Sequence, residues 1–212
     1  VRQIEADGFS KLKPKIKNYQ NILRYFIQEL KSAGDLRKET SLLSQLGGEK
    51  HQPDVYFLLT LADPFQRFSG TRDIHSLWTV NPNSLSRARK TIGSLRLKLE
   101  KAGKPLALKE LSSFSAVPSK ILSSYLEVSK IIQSNREGFY GLKEWPEINP
   151  RGVRDKAFLV FKKERKPLHF RELTELIGPQ ALSQTVHNEL IKDPRFVLVG
   201  RGTYALKEWG YE

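Results

Sequence analysis

Near the end of the chain, apolar residues recur at the spacing of a helix. Leu182, Val186 and Leu190 follow one another at intervals of four, which predicts a helix over Gln180 to Lys192 with these three side chains facing a core. The polar residues on or beside the opposite face, and so candidates for a binding surface, are Gln180, Gln184, His187 and Asn188.

A two-stranded hairpin is predicted directly after this helix. Phe196 to Val199 and Thr203 to Leu206 are rich in β-branched and aromatic residues, and Gly-Arg-Gly separates them. The glycines supply the positive φ that a tight turn needs, so we expect Arg201 at the tip. Arg195, just before the first strand, is a second candidate cation.

The end of this hairpin has counterparts earlier in the chain. Leu-Lys-Glu-Trp ends at Trp145 and again at Trp209, 64 residues later, and Ser-Leu-Trp ends at Trp78. Lys-Pro-Leu likewise begins at both Lys104 and Lys166. A period of this length is the size of a small domain, and we expect tryptophans at one position of such a repeat to fill a core.

The repeat predicts a mainly α protein with small β-hairpin wings, of the α+β class. Three helices followed by a hairpin form a winged helix-turn-helix, so the chain is expected to hold three of these domains in tandem. The expected boundaries are 17–80, 83–147 and 152–212, with a helical remnant over 1–16.

The third helices of the first and second repeats differ in how many polar and charged residues they carry. In the first repeat this helix, expected from Pro53 to about Ala62, is apolar nearly all round and lacks Lys and Arg. We therefore expect it to be buried, with the first repeat packing against its neighbour or a protein partner. In the second repeat Pro118 begins a helix that turns polar residues outward, and Arg136 tips the wing. Those outward residues are Ser119, Lys120, Ser123 and Ser124.

Positive charge is spread over all three repeats. The net charge is +13, of which +3 falls in residues 1–80, +6 in 81–150 and +4 in 151–212. With a sequence pI near 9.9, this distribution is typical of a protein that binds nucleic acid.

Other function classes have little support in the sequence. The chain has no cysteine, and its four histidines lack the spacing of metal ligands. We find no phosphate-binding glycine loop, nucleophile elbow, signal peptide or membrane-length apolar run. We therefore expect a cytoplasmic protein that is not an enzyme, with no cofactor, metal, membrane or small-molecule ligand. Because the chain contains no methionine, we also expect it to be a piece of a longer protein.

The first residues resemble the end of the recognition helix of bacterial sigma-factor region 4. The family motif runs Arg-Gln-Ile-Glu-Ala and then Lys-Leu-Arg, and here Arg2-Gln3-Ile4-Glu5-Ala6 precedes Lys11-Leu12. Asp7-Gly8-Phe9 departs from it, because the family usually has Lys-Ala-Leu there. The resemblance implies that Arg2 and Gln3 face promoter DNA, in a sigma-factor-like protein.

The last 60 or so residues resemble the HARE-type winged helix-turn-helix. The resemblance rests on Lys-Pro-Leu-His-Phe-Arg-Glu-Leu from Lys166, on Thr-Val-His-Asn-Glu-Leu from Thr185, and on the run from Asp193 to Tyr211. The second repeat matches at its ends and the first in outline. That family includes the N-terminal domain of the bacterial RNA polymerase delta subunit.

Charge, fold and resemblance together favour a bacterial DNA-binding transcription regulator that binds duplex DNA. A polymerase-associated module that binds protein is the alternative, since the delta-type domain is used for protein contacts. An RNA-binding protein is a third reading, but the exposed aromatic platform of such proteins is not evident.

Overall fold

The computed structural model describes residues 11–211. The remnant expected over 1–16 therefore lies largely outside the described residues, and Arg2 and Gln3 lie wholly outside them. The described part is a mixed α+β protein with small three-stranded antiparallel sheets, which agrees with the expected class. No helix within residues 11–211 has the length and apolar character needed to cross a membrane.

One order of elements occurs three times: helix, strand, helix, helix, strand, strand. In the first repeat a 3₁₀ helix, Lys13–Tyr19, leads into α1, and the elements are α1 (Gln20–Ser32), β1 (Leu36–Lys38), α2 (Glu39–Gly47), α3 (Gln52–Leu61), β2 (Gln66–Phe68) and β3 (Leu77–Thr79). In the second they are α4 (Asn83–Ala102), β4 (Leu106–Ala107), α5 (Leu108–Ser113), α6 (Ser119–Val128), β5 (Ile132–Ser134) and β6 (Phe139–Leu142). In the third they are α7 (Gly152–Glu164), β7 (Leu168–His169), α8 (Phe170–Ile177), α9 (Ser183–Lys192), β8 (Phe196–Gly200) and β9 (Thr203–Leu206).

Each sheet contains a first strand that the sequence analysis did not predict. β1, β4 and β7 pair antiparallel with the last strand of their own repeat, so the strand order is first, third, second in every sheet. Leu36, Leu106 and Leu168 begin these strands, and all three are buried. The recurring Lys-Pro-Leu was the signal for the strand in the second and third repeats, because its leucine is the core residue.

The first and third repeats each enclose a hydrophobic cluster of their own. In the first, α1, α2 and α3 pack around Trp78, which is 2% exposed and meets Tyr56 edge to face with ring centroids 5.6 Å apart. In the third, α7, α8 and α9 pack on the sheet, and Trp209 meets Phe161 edge to face at 6.1 Å. Trp145 and Trp209 are half-buried, so these tryptophans fill the core less completely than Trp78 does.

The contacts divide the chain into two compact units, Val1–Lys143 and Glu144–Glu212. The first two repeats thus belong to one unit. Main-chain hydrogen bonds join them: His75 N donates to Val128 O at 2.8 Å, and Lys130 N donates to Asp73 O at 2.8 Å. Ile74 and Ser129 form an antiparallel bridge between these bonds.

Helix α3 is less buried than its sequence predicts. Val55 and Leu59 face the core, but Tyr56 is 39% exposed and Phe57 is 48% exposed. The second repeat packs instead against β1, so the expectation that α3 is buried all round was wrong. The apolar side chains on its outer face contribute to an exposed groove beside α1.

Candidate nucleic-acid interface

The turn between β8 and β9 presents the cation that the sequence predicted there. Arg201 is exposed, and within residues 11–211 it has no hydrogen-bond or ion-pair partner. Its neighbour Gly202 has φ +65°, and a Cβ there would lie 2.7 Å from Nε2 of His169. Only glycine fits this turn without strain, which keeps Arg201 at the tip.

A row of three rings connects this turn to α8 and α9. Phe170 stacks on His187 with ring centroids 4.5 Å apart and an interplanar angle of 16°, and it contacts His169 at 4.6 Å. The backbone N–H of Phe170 donates to Gly202 O at 2.9 Å. The hairpin turn is therefore held against the start of α8, and through the rings against the middle of α9.

The exposed face of α9 carries two of the predicted amide side chains. Gln184 and Asn188 are both exposed, and Gln184 Nε2 donates to Asn188 Oδ1 at 3.1 Å. This hydrogen bond leaves the amide N–H groups of Asn188 and the carbonyl oxygen of Gln184 available to a ligand. His187, between them in sequence, is packed in the ring row and offers an edge rather than a free ring.

The start of α9 differs from the sequence prediction. The helix begins at Ser183, so Gln180 lies in the exposed turn before it. Leu182 precedes the helix with an extended backbone, and it is 72% exposed. The prediction that Leu182 faces the core was wrong, because the spacing of four has structural meaning only within the helix.

Arg195 is engaged within the fold. Its Nη2 donates to Asp155 Oδ1 at 2.8 Å and to Asp193 Oδ2 at 2.6 Å, and its guanidinium lies 5.0 Å from the ring of Phe158. The hydrogen bond from Arg195 holds the pKa of Asp193 below its usual value, although burial opposes this shift. We therefore remove Arg195 from the candidate interface, because two carboxylates already balance its charge.

The first repeat covers part of the polar face of α6. Ser119 and Lys120 are exposed at the start of the helix, but Ser123 is only half-exposed and Ser124 is buried, not outward as predicted. The end of α1 and β1 approach here: a Cβ on Gly34 would lie 2.3 Å from Ile121 Cγ2. Only the first turn of α6 is therefore open enough to enter a groove of duplex DNA.

Two further cations lie at exposed positions. Arg136 occupies the turn between β5 and β6, as predicted, and has no partner within the described residues. Arg171, which the sequence analysis did not single out, is exposed at the start of α8 with its guanidinium 5.8 Å from the ring of Phe170. Its position next to His169 and Phe170 in the sequence was the available signal.

A metal site receives no support in the described part of the chain. Within residues 11–211 no group of three or more His, Cys, Asp or Glu side chains is arranged to hold a metal ion. Compared with protein-family models, with curated proteins and with solved structures, the chain matched none. What it does is therefore inferred from its own residues and geometry.

Proposed function

We propose that this chain is a DNA-binding transcription regulator built from tandem winged helix-turn-helix domains, and that it binds duplex DNA chiefly through its third repeat. The observation that carries the proposal is the surface made by Gln184, Asn188 and Arg201. An exposed helix with two amide side chains lies beside a hairpin that ends in an unpaired cation, and a ring row holds the two together.

The order of elements supports the fold part of the proposal. Helix, strand, helix, helix, strand, strand, with the first strand pairing the last, is the arrangement of a winged helix, in which the third helix enters a groove and the hairpin is the wing. The resemblance of Lys166 to Tyr211 to HARE-type domains points to the same fold.

The chemistry of the surface made by Gln184, Asn188 and Arg201 supports duplex DNA as the ligand. Gln and Asn can each form two hydrogen bonds with the edge of adenine in the major groove, where an α-helix fits. An arginine at a wing tip is suited to phosphates or to the minor groove. The net charge of +4 in residues 151–212 favours approach to a polyanion.

The second repeat is given a smaller role than its charge alone suggests. It carries +6, but the first repeat covers the middle of α6. Of the DNA-contact residues predicted in this repeat, Ser119, Lys120 and Arg136 are fully exposed. We assign these three to contacts with the DNA backbone. The first repeat, with no cation on α3, is assigned no base contact.

A titration of the full chain with duplex and with single-stranded DNA at two salt concentrations tests the proposal. We expect a preference for duplex and a steep loss of affinity with salt, because neutralising phosphates releases counterions. A preference for single strands would favour an RNA-type binder instead. Binding that is undetectable at low salt would reject the proposal.

One observation favours the alternative of a protein partner such as RNA polymerase. Beside α3 an exposed groove of about 890 Å³ is lined mainly by apolar side chains, among them Tyr19, Ile22, Tyr25 and Phe57. Exposed apolar patches of this kind mark protein contacts. Co-purification with polymerase that is lost in Phe57→Ser, while duplex binding persists, would assign the groove to this second function.

A further inference from the structure

A polar cavity of about 450 Å³, open to solvent on one side, lies between the first and second repeats. β1 and the segment before β3 form one wall, and α6 with the hairpin β5–β6 forms the other. The volume lies within the range of small-molecule sites. The polar side chains that matter most are Arg37, Lys38, His75, Glu127 and Ser129.

Arg37 contributes a buried hydrogen-bond donor that has no acceptor in the described part of the chain. Its Nε is inaccessible to solvent and has no acceptor within the described residues. The nearest carboxylate oxygen, Oε2 of Glu127, is 3.6 Å away, which is an ion-pair distance but too long for a hydrogen bond. A buried N–H without an acceptor is unfavourable, so an acceptor of suitable size would be stabilised here.

Ser129 brings a second donor of this kind. Its hydroxyl oxygen accepts from the backbone N–H of Ile131 at 3.1 Å and of Ile132 at 3.0 Å. These two bonds fill both lone pairs of the oxygen, so the remaining hydrogen can only be donated. Ser129 is buried, and no acceptor for that hydrogen lies within the described residues.

The surroundings are cationic. Lys38 is half-buried on the cavity wall and makes no ion pair within residues 11–211. Burial, followed by the charges of Lys38, Lys130 and Lys143, lowers the pKa of His75. Glu127 is the one acidic side chain among the lining residues. Donors and positive charge therefore exceed acceptors and negative charge, which is the pattern of an oxyanion site.

We propose that this cavity binds a phosphate group, with Arg37 and Ser129 donating to its oxygens and Lys38 balancing its charge. The phosphate can belong to a free small phosphorylated molecule or to the backbone of DNA held against the first unit. The sequence analysis predicted no small-molecule ligand, because the chain shows no recognisable ligand-binding motif. The residues of this cavity, from positions 37 to 140, meet only through the packing of two repeats. The site does not depend on DNA binding by the third repeat.

Calorimetric titration of the full chain with pyrophosphate in chloride buffer tests the first source. Arg37→Gln and Lys38→Gln should each weaken binding about tenfold or more, as the loss of a hydrogen bond or charge to an anion does. Lys38→Gln is included because Arg37→Gln also removes the contact with Glu127. Lys50→Gln, an exposed cation of the same repeat, is the matched control and should bind like the parent chain.

A titration of the same four chains with duplex DNA tests the second source. If pyrophosphate does not bind but both cavity variants lose several-fold in duplex affinity and Lys50→Gln does not, the phosphate is that of DNA. If the cavity variants match Lys50→Gln in both titrations, the proposal is overturned. Failure of the phosphate site is distinguishable from failure of the proposed function, because the latter is judged from duplex binding by the parent chain and by Arg201→Ala.

Discussion

Nη2 of Arg195 lies 2.8 Å from Oδ1 of Asp155, a residue 40 positions earlier in the first turn of α7. The other oxygen of the same carboxylate accepts the backbone N–H of Arg151 at 2.8 Å. Asp155 therefore joins the start of α7 to the segment before β8. Arg195 therefore fixes the position at which the wing begins. Because it is paired with these carboxylates, it is not available to bind a ligand.

Replacing this arginine should destabilise the third repeat. We expect Arg195→Ala to lower the free energy of unfolding by about 2–3 kcal/mol, because the buried carboxylates of Asp155 and Asp193 then lose the guanidinium that balances their charge and keep only backbone N–H donors. Urea denaturation followed by tryptophan fluorescence measures this. Arg201→Ala, on the exposed turn, should change stability by less than about 0.5 kcal/mol. Equal losses in the two variants would contradict the structural role of Arg195.

The hydrogen bond between Arg195 and Asp193 predicts that the stability of the third repeat depends on pH. The pKa of Asp193 is lowered in the folded state, chiefly by its hydrogen bond from Arg195. Its contribution is therefore complete above the unfolded-state pKa of about 3.8 and is lost as pH falls through the folded-state value. Between pH 6 and pH 3 the parent chain should lose more stability than Asp193→Asn. Parallel curves for the two chains would show that the carboxylate is not stabilised in the folded state.

Gly34 provides a test of the contact between the first two repeats. Gly34 has φ +83°, and an added methyl group would clash with Ile121, whereas Gly103 has φ +61° and open space around it. Gly103→Ala therefore measures the cost of a left-handed backbone conformation alone, about 1 kcal/mol. Gly34→Ala should cost about 1–3 kcal/mol more, because the two repeats must move apart. Thermal unfolding of the two variants gives the difference, and equal costs would mean that this contact is loose.

Trp78 should contribute more stability than the other two tryptophans. Trp78→Ala is expected to cost about 3–5 kcal/mol, since the ring is almost fully buried. Trp209→Ala and Trp145→Ala should cost less, because both side chains are half-buried. The indole N–H of Trp78 has no acceptor within the described residues, so Trp78→Phe should retain most of the stability. Calorimetric unfolding of the four variants ranks them, and a cost below about 1 kcal/mol for Trp78→Ala would contradict the core role.

The third repeat should show two different kinds of DNA contact. Arg201→Ala should weaken binding to all duplex sequences alike and lower the salt slope by about one unit, as loss of one phosphate contact does. Gln184→Ala and Asn188→Ala should each cost about 1–3 kcal/mol on a preferred site selected from random duplexes, and little elsewhere.

Lys163→Ala, which removes an exposed cation on α7, is the control for these titrations. An Arg201→Ala chain with the salt slope of this control would show that the wing does not touch DNA. Fluorescence anisotropy over a series of salt concentrations supplies both measurements.

The sequence predicted those helices and strands whose determining residues lie within a few positions of one another. The hairpin at Arg201 and the helix after Pro118 were predicted because glycine and proline act over a few residues. The strand at Leu168 was missed because two residues show no alternation, and its partner lies 36 positions away at Tyr204.

The candidate site was predicted less well than the fold, for the same physical reason. Arg195 looked like a free cation, since the carboxylate of Asp155 that pairs with it is distant in the chain. Leu182 continues the spacing of four residues, but it lies before the helix. The turn around Pro179 comes first, and the helix begins only at Ser183. The cavity at Arg37 could not be anticipated, because it exists only where two repeats meet.

The bridge between Ile74 and Ser129 and the hydrogen bonds on either side of it run from main chain to main chain. Such bonds depend on the number of residues in each segment and are nearly indifferent to side-chain identity. Exposed side chains here, such as that of Asp73, can therefore be replaced without breaking these bonds, whereas an insertion or deletion of one residue would shift the pairing. This part of the contact between the first two repeats depends on the length of each segment rather than on the identity of its side chains.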